Sequence, residues 1–289
     1  MRFVDDFKDY ELIDATQGER LERWGDIILV RPDPTVMWNS PKKDERWFHP
    51  HAIYHRSSSG GGYWETLKKV PDVWNIKYRE LEFRLKPMGF KHTGLFPEQA
   101  VNWKLAEDLI KNSNRPIKVL NLFAYTGGAT VACLKAGASV THVDASKGMV
   151  QWAKENAVAS GVADKDVRWL VDDCLKFVRR EIRRGNKYDA IIMDPPSYGR
   201  GPNGEVWKIE QQISELLELT GQILSDKPLF FFLNSYTTGL SPTILNYITE
   251  LYVAGGKKGS VFTEEIGLKI TSKPLVLPAG STTVWIGEN

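Results

Sequence analysis

The stretch IKVLNLFAYTGGATVACLKAGA (117–138) decides the fold. Its first nine residues, 117–125, form an apolar, β-branched run that predicts a buried strand; glycines at 127 and 128 interrupt it, and 127–136 predicts a helix. The same succession repeats downstream. Strands are expected at 139–145, 166–173, 188–196 and 228–236, with helices at 146–160, 174–184, 207–225 and 241–255. In the last of these Ser241 stands as N-cap and Pro242 at the first helical position. Apolar runs alternating with helical segments predict a parallel sheet wrapped by helices. The final segments, 261–270 and 281–289, are strands with no helix between them. Parallel neighbours need a crossover, so this ending predicts an antiparallel pair at one sheet edge.

The texture changes before about residue 100, which divides the chain into a small β-rich domain (1–100) and an α/β domain (101–289). Short alternating stretches at 26–32, 61–67 and 78–86 predict strands, with SSSGGG (57–62) as a loop. Thirty-eight Lys and Arg against 36 Asp and Glu give a net charge of +2, so no global field marks a nucleic-acid binder, although a local basic patch is compatible with it. Two cysteines, Cys133 and Cys174, make neither a disulfide framework nor a cysteine metal cluster. The charged start MRFVDDFKDYELIDA lacks the apolar core of a signal peptide, and no apolar run approaches the length of a membrane helix. A soluble, cytoplasmic protein without membrane contact is expected.

In open α/β sheets ligands bind beyond the carboxyl ends of the strands, so the residues that end each run matter most. The first run ends in Phe123, Ala124, Tyr125, Thr126 and Gly127. Glycines there admit a ligand to the backbone, or simply allow tight packing. The spacing is not the G-x-G-x-x-G of nicotinamide enzymes. The second run ends in Asp144, about 17 residues beyond the glycines and close to the offset of a ribose-binding acid, with Ala145 and Ser146 following. Asp144 is equally placed to cap the next helix. The third run ends in Asp172 and Asp173, either able to accept from an exocyclic amine or to cap the helix from Cys174. A ribose carboxylate and an amine carboxylate on adjacent strands together suit an adenosine.

The fourth run ends in Asp194, Pro195, Pro196, Ser197 and Tyr198. Prolines cannot extend the ladder and they fix φ, so the chain leaves the sheet rigidly there. With NLFAYTGGATVACLKAGA, THVDAS and the aspartate pair, the DPPSYGRG segment resembles the class I S-adenosylmethionine-dependent methyltransferases. More narrowly, it resembles the 23S ribosomal RNA large-subunit group of cytosine-C5 and guanine-N7 enzymes. KHTGLFPEQAVNW (91–103) is similar to that group's segment preceding the catalytic domain. The resemblance covers about 90–289. It implies a Rossmann-like seven-stranded sheet with a reversed last strand, S-adenosyl-L-methionine as cofactor and RNA as partner. It further implies Asp144 at the ribose, Asp173 at the adenine amine, the backbone of 123–128 at the methionine moiety, and Phe96 and Gln99 over the cofactor.

By the same resemblance Asp194, Pro195 and Pro196 hold an amino group of the substrate, with an aromatic ring stacked on its base. The pattern departs at Ser197: the aromatic residue, Tyr198, comes one position later. Cytosine-C5 methylation requires a cysteine nucleophile. The fifth run ends in Asn234, Ser235 and Tyr236, where those relatives carry cysteine, and neither Cys133 nor Cys174 is placed to attack a base. An N-directed substrate therefore fits better.

Three further features are expected outside this line. GRGPNGEVW (199–207) is a gating loop or a plain connection, with Arg200 contacting a phosphate and Trp207 anchoring a helix start. The run Arg179 to Lys187 ends a helix, whose dipole favours cations without any ligand. Lys42, Lys43, Arg46 and Trp47 mix charge and aromaticity as RNA-binding surfaces do. His49, His51 and His55 lack the acids or cysteines of a metal site and belong to solvent-facing turns. A small-molecule or protein methyltransferase, or a non-catalytic S-adenosylmethionine-binding module, would share the cofactor residues. The Asp-Pro-Pro segment speaks against the non-catalytic version.

Overall fold

A computed structural model describes all residues except 58–60, 201–205, 238 and 289. The chain divides into two compact units, one of residues 2–101 with 267–279, the other of Met1 and residues 102–266 with 280–289. Among the described residues no helix is long and apolar enough to cross a membrane.

The first unit carries β1 (Arg2–Val4), β2 (Tyr10–Thr16), β3 (Glu19–Trp24), β4 (Ile27–Pro32), β5 (Ala52–Arg56), β6 (Gly62–Thr66), β7 (Trp74–Tyr78) and β8 (Leu81–Leu85). Strands β2 to β6 lie in sequential order in one sheet, and β7 pairs with β8 separately. The β2–β3 hairpin closes with Gln17 at φ 54° and Gly18 at φ 75°. Left-handed φ at both central residues matches the right-handed twist of the strands. The run 78–86, expected as one strand, is instead a turn and a strand. It breaks at Arg79, which reverses the chain with φ 54° between β7 and β8. Ile13, Leu21, Val30 and Trp47 make the core.

The opposite face of the same strands buries a charge pair. Arg31 donates from Nε and Nη2 to the two oxygens of Glu22 at 2.6 and 2.7 Å, and the Tyr10 hydroxyl donates to Glu22 Oε1 at 2.8 Å. Glu22 has no solvent exposure. The Arg20 and Arg31 guanidiniums overcome its burial and hold its carboxyl down to about 2.

The second unit begins with α1 (Ala100–Asn112), whose first two residues still belong to the first unit, and continues through β9 (Lys118–Leu122), α2 (Gly128–Lys135), β10 (Ser139–Asp144), α3 (Lys147–Ala159), β11 (Val167–Val171) and α4 (Cys174–Arg184). Then come β12 (Ala190–Met193), β13 (Tyr198–Arg200), β14 (Val206–Lys208), α5 (Ile209–Gln222), β15 (Phe230–Ser235) and α6 (Pro242–Thr249), the last running into a π-helical turn at Glu250–Ala254. Two long strands, β16 (Gly259–Ile270) and β17 (Leu275–Gly287), follow. The sheet order is β11-β10-β9-β12-β15-β17-β16. The first five strands are parallel and β17 runs antiparallel to β15. This is the Rossmann-like methyltransferase sheet with its reversed strand. All four residues of β12 and all six of β15 are buried, as continuous apolar strands covered on both faces require.

The final pair is not an edge. Residues 267–279, the far half of the β16–β17 pair, belong to the first unit, where Ile270 pairs with Leu12 of β2. The strands of the sheet also end sooner than their apolar runs: β9 stops at Leu122 and β12 at Met193. Those register partners leave the turn at 123–128 and Asp194 beyond adjacent carboxyl ends. The order of connections reverses between β9 and β12, so the two loops diverge there and open a crevice.

Candidate active site

The turn after β9 is held in an unusual backbone conformation. Phe123, Tyr125 and Gly127 have φ of 53°, 50° and 81°. Left-handed φ is strained for a bulky aromatic residue and persists only where the surroundings over-determine it. Here they do. The Ala124 amide donates to Val143 O at 3.1 Å, and Asn156 of α3 donates from Nδ2 to Thr126 O at 2.8 Å. A Cβ at Gly127 would stand 2.8 Å from Ala153 Cβ, and one at Gly128 would stand 2.6 Å from the Trp103 ring. Helix packing alone thus already requires both glycines.

Asp144, the last residue of β10, is anchored to that turn. Its Oδ2 accepts the Tyr125 amide and its Oδ1 the Ser146 amide, each at 2.8 Å. Among the described residues it has no ion-pair partner. Desolvation raises its pKa above 3.8, partly offset by the two amide donors. The helix-capping role falls to Ser146, whose hydroxyl accepts the Met149 amide, while Ala145 is exposed between them.

The aspartates after β11 divide their work. Asp173 caps α4 by accepting the Lys176 amide at 2.8 Å, and Asp172 forms an ion pair with Arg180. Cys174 lies beneath them, its Sγ accepting the Phe123 amide at 3.3 Å. Burial pushes both the Cys174 and Cys133 thiols up, away from the thiolate form.

Beyond β12, Asp194 leads into buried Pro195 and exposed Pro196. Trp207 donates from Nε1 to Pro196 O at 2.6 Å, and its ring lies 5.4 Å from that of Phe123. Ser197 bonds Thr237 through their hydroxyls at 2.6 Å, and its carbonyl accepts the Ile209 amide at 3.1 Å. The arms of the 199–207 segment pair as a hairpin, with Tyr198 opposite Lys208, Gly199 opposite Trp207 and Arg200 opposite Val206. Residues 201–205 lie outside the described residues, as does the Arg200 side chain. Trp207, expected to anchor a helix start, precedes α5 by two residues and joins the Asp-Pro-Pro segment to the glycine turn instead. Tyr198 is 51% exposed at the base of the hairpin.

The remaining sequence candidates belong to the first unit. Phe96 caps the 3₁₀ turn Pro97–Gln99 and packs against the His92 ring at 5.2 Å; Gln99 is buried. Trp47 is no surface platform. It is buried, with its Nε1 donating to Asp14 Oδ2 at 3.0 Å, while Lys42 and Arg46 pair with Glu19 and Asp44. His51 accepts the Ile28 amide and His55 faces Glu65, and among the described residues no acid, cysteine and histidine group could hold a metal.

Residues 50–228 match the family described as S-adenosylmethionine-dependent methyltransferase. A ribosomal RNA large subunit methyltransferase K/L from Shewanella frigidimarina is 35% identical over 80% of this chain and 32% of its own length; the Shewanella baltica OS155 protein of that name is 31% identical over 80% and 32%. The chain thus spans about a third of the length of these curated relatives. The solved SAM-dependent methyltransferase of Agrobacterium tumefaciens superposes with a TM-score of 0.92 at 36% identity, covering 97% of this chain and 91% of its own. A Streptococcus mutans structure at 18% identity and TM-score 0.75, covering 98% and 76%, shares the fold. The chain belongs to the S-adenosylmethionine-dependent methyltransferases.

Proposed function

We propose that this protein methylates a nitrogen of a base in structured RNA, the ribosomal RNA of the large subunit. The observation that carries the choice of atom is the pairing of a rigid Asp194-Pro195-Pro196 segment with two thiols that are buried and that burial pushes up, away from the thiolate. A carbon nucleophile on cytosine needs a thiolate, whereas a nitrogen brings its own lone pair. The names of the curated relatives support RNA as the substrate class.

The crevice suits the cofactor in its donor set. Asp144 is a desolvated carboxylate whose oxygens are fixed by backbone amides, with acceptor capacity left for ribose hydroxyls. Asp173 keeps one oxygen beyond its cap bond for the adenine amine, and Asp172 stands beside it with its charge offset by Arg180. The turn at 123–127 offers its backbone to the methionine end. Phe96 and Gln99 are assigned to the cofactor on the resemblance of 91–103 alone.

The bound sulfonium supplies an already activated methyl, so the protein's main task is to hold the nucleophile in line. Asp194 and the Pro195 carbonyl would accept the hydrogens of an amino group, and Asp194 is the nearest base for its proton. Tyr198 is the ring available for stacking on the base. Residues 1–100 would add substrate contact or cover the cofactor.

The test begins with calorimetric titration by S-adenosylmethionine and, separately, NAD; only the former should bind. Methyl transfer from labelled cofactor to deproteinised large-subunit RNA, followed by nucleoside analysis, should then yield an N-methylated base. A 5-methylcytosine product, or unlabelled RNA, would overturn the proposal.

A further inference from the structure

A second polar cavity lies at the opposite end of the same strands. It measures about 420 Å³ and is lined by Lys118, Ser139, Asp166, Arg168, Asn186 and Lys187 among others. These residues stand at or beside the amino-terminal ends of β9, β10 and β11 and in the connection from α4 to β12. Five residues of β9 separate the two ends, about 17 Å at the rise of a strand.

The charges of this groove are available to a ligand. The basic run at the end of α4 splits in the folded protein: Arg179, Arg180 and Arg184 pair with Glu215, Asp172 and Glu181. Lys187 escapes that neutralisation and bonds only a carbonyl, Gln222 O, at 2.6 Å. Among the described residues Lys118 and Arg168 have no ion-pair partner, and both are exposed. Arg168 is within electrostatic reach of Glu181, but that carboxylate already accepts from Tyr188 at 2.7 Å, Asn186 at 2.8 Å and Arg184 at 3.0 Å. Three cations thus face one cavity against a single exposed carboxylate, Asp166, with the Ser139 hydroxyl and Asn186 amide beside them. A phosphodiester backbone suits that set, because cations with unused donors bind phosphate oxygens without reading sequence.

We propose that this groove is a phosphate-backbone contact for the RNA substrate, separate from the catalytic crevice. The proposal rests on RNA being the substrate.

The experiment measures binding of deproteinised large-subunit RNA across a potassium chloride series. It compares wild type, a Lys118→Gln/Arg168→Gln/Lys187→Gln variant, and a charge-matched control, Lys154→Gln/Lys165→Gln/Lys227→Gln. The groove variant should bind more weakly, with a slope of log affinity against log salt shallower by about 2. Its melting temperature and S-adenosylmethionine affinity should equal those of wild type. The control should keep the wild-type slope. An unchanged groove variant or an equal loss in the control overturns the groove. A wild type that binds and methylates no RNA overturns the substrate reading itself, and the groove with it.

Discussion

Glu22 and Asp144 are two carboxylates withdrawn from water in different units, with opposite outcomes. Glu22 is met by a bidentate guanidinium and a phenol, and its acidity is strengthened to about 2. Asp144 is met by two backbone amides and no ion-pair partner, and its acidity is weakened. Counter-charge leaves the first nothing further to bind. Backbone amides orient the second while preserving lone pairs, so the kind of donor separates a carboxylate that fastens the fold from one with acceptor capacity left for the cofactor role proposed above.

The largest expected effect tests the first half of that contrast. Glu22→Gln removes one side of a buried pair and should lower unfolding stability by about 3–5 kcal/mol, read from denaturant midpoints. A loss near zero would show that Arg31 finds other partners. Asp144→Ala should cost about 3 kcal/mol of cofactor affinity by calorimetry, about a hundredfold, since charge-assisted hydrogen bonds are lost. Asp194→Ala should leave that affinity intact and remove turnover. Equal cofactor binding by wild type and Asp144→Ala would sink the site assignment.

A smaller effect is expected at Trp207. Trp207→Phe keeps a ring against Phe123 but deletes the donor to Pro196. It should slow kcat by about fivefold, roughly 1 kcal/mol, with the cofactor affinity unchanged. A change confined to KM would mean that the bond does not orient the reacting segment.

The smallest effect lies in the pH profile. Glu22 has a folded pKa below its usual 4.5, so its contribution is present above that value and is lost as pH falls toward 2. Asp144 has a folded pKa above 3.8, so the folded state binds more protons in that window and stability declines as pH rises through it. Urea midpoints from pH 6 to pH 3 should therefore fall less steeply in Glu22→Gln than in wild type, and more steeply in Asp144→Asn. Parallel curves for all three proteins would remove the distinction between the two carboxylates.

The central part of the sheet was legible because β12 and β15 are buried on both faces: runs such as FFFL in β15 leave few other readings. The crevice was legible for the same reason, since each run ends where its polar residues begin. The first unit was harder. Its β2–β3 hairpin turns on Gln17-Gly18 and its β7–β8 hairpin on Arg79, where left-handed φ is adopted without the Asn-Gly that announces it. Glu22 lies in the charged stretch ERLERW and reads as an exposed strand residue; only its bonds to Arg31 of the next strand reveal the interior. Trp207 sits 11 residues from Pro196, a separation that no periodicity marks.

The β16–β17 pair carries a consequence for synthesis on the ribosome. Residues 267–279 complete the first unit: Ile270 joins β2, Thr271 bonds Glu11, and Ser272 and Lys273 both reach Asp14. Domains ordinarily fold in the order they emerge. Here Asp14 is translated 258 residues before Ser272, its partner, so the growing chain carries an unfinished sheet margin until residues 267–279 have been made. A chain stopped before residue 267 would leave Asp14 without its lysine and expose that margin to association with other nascent chains.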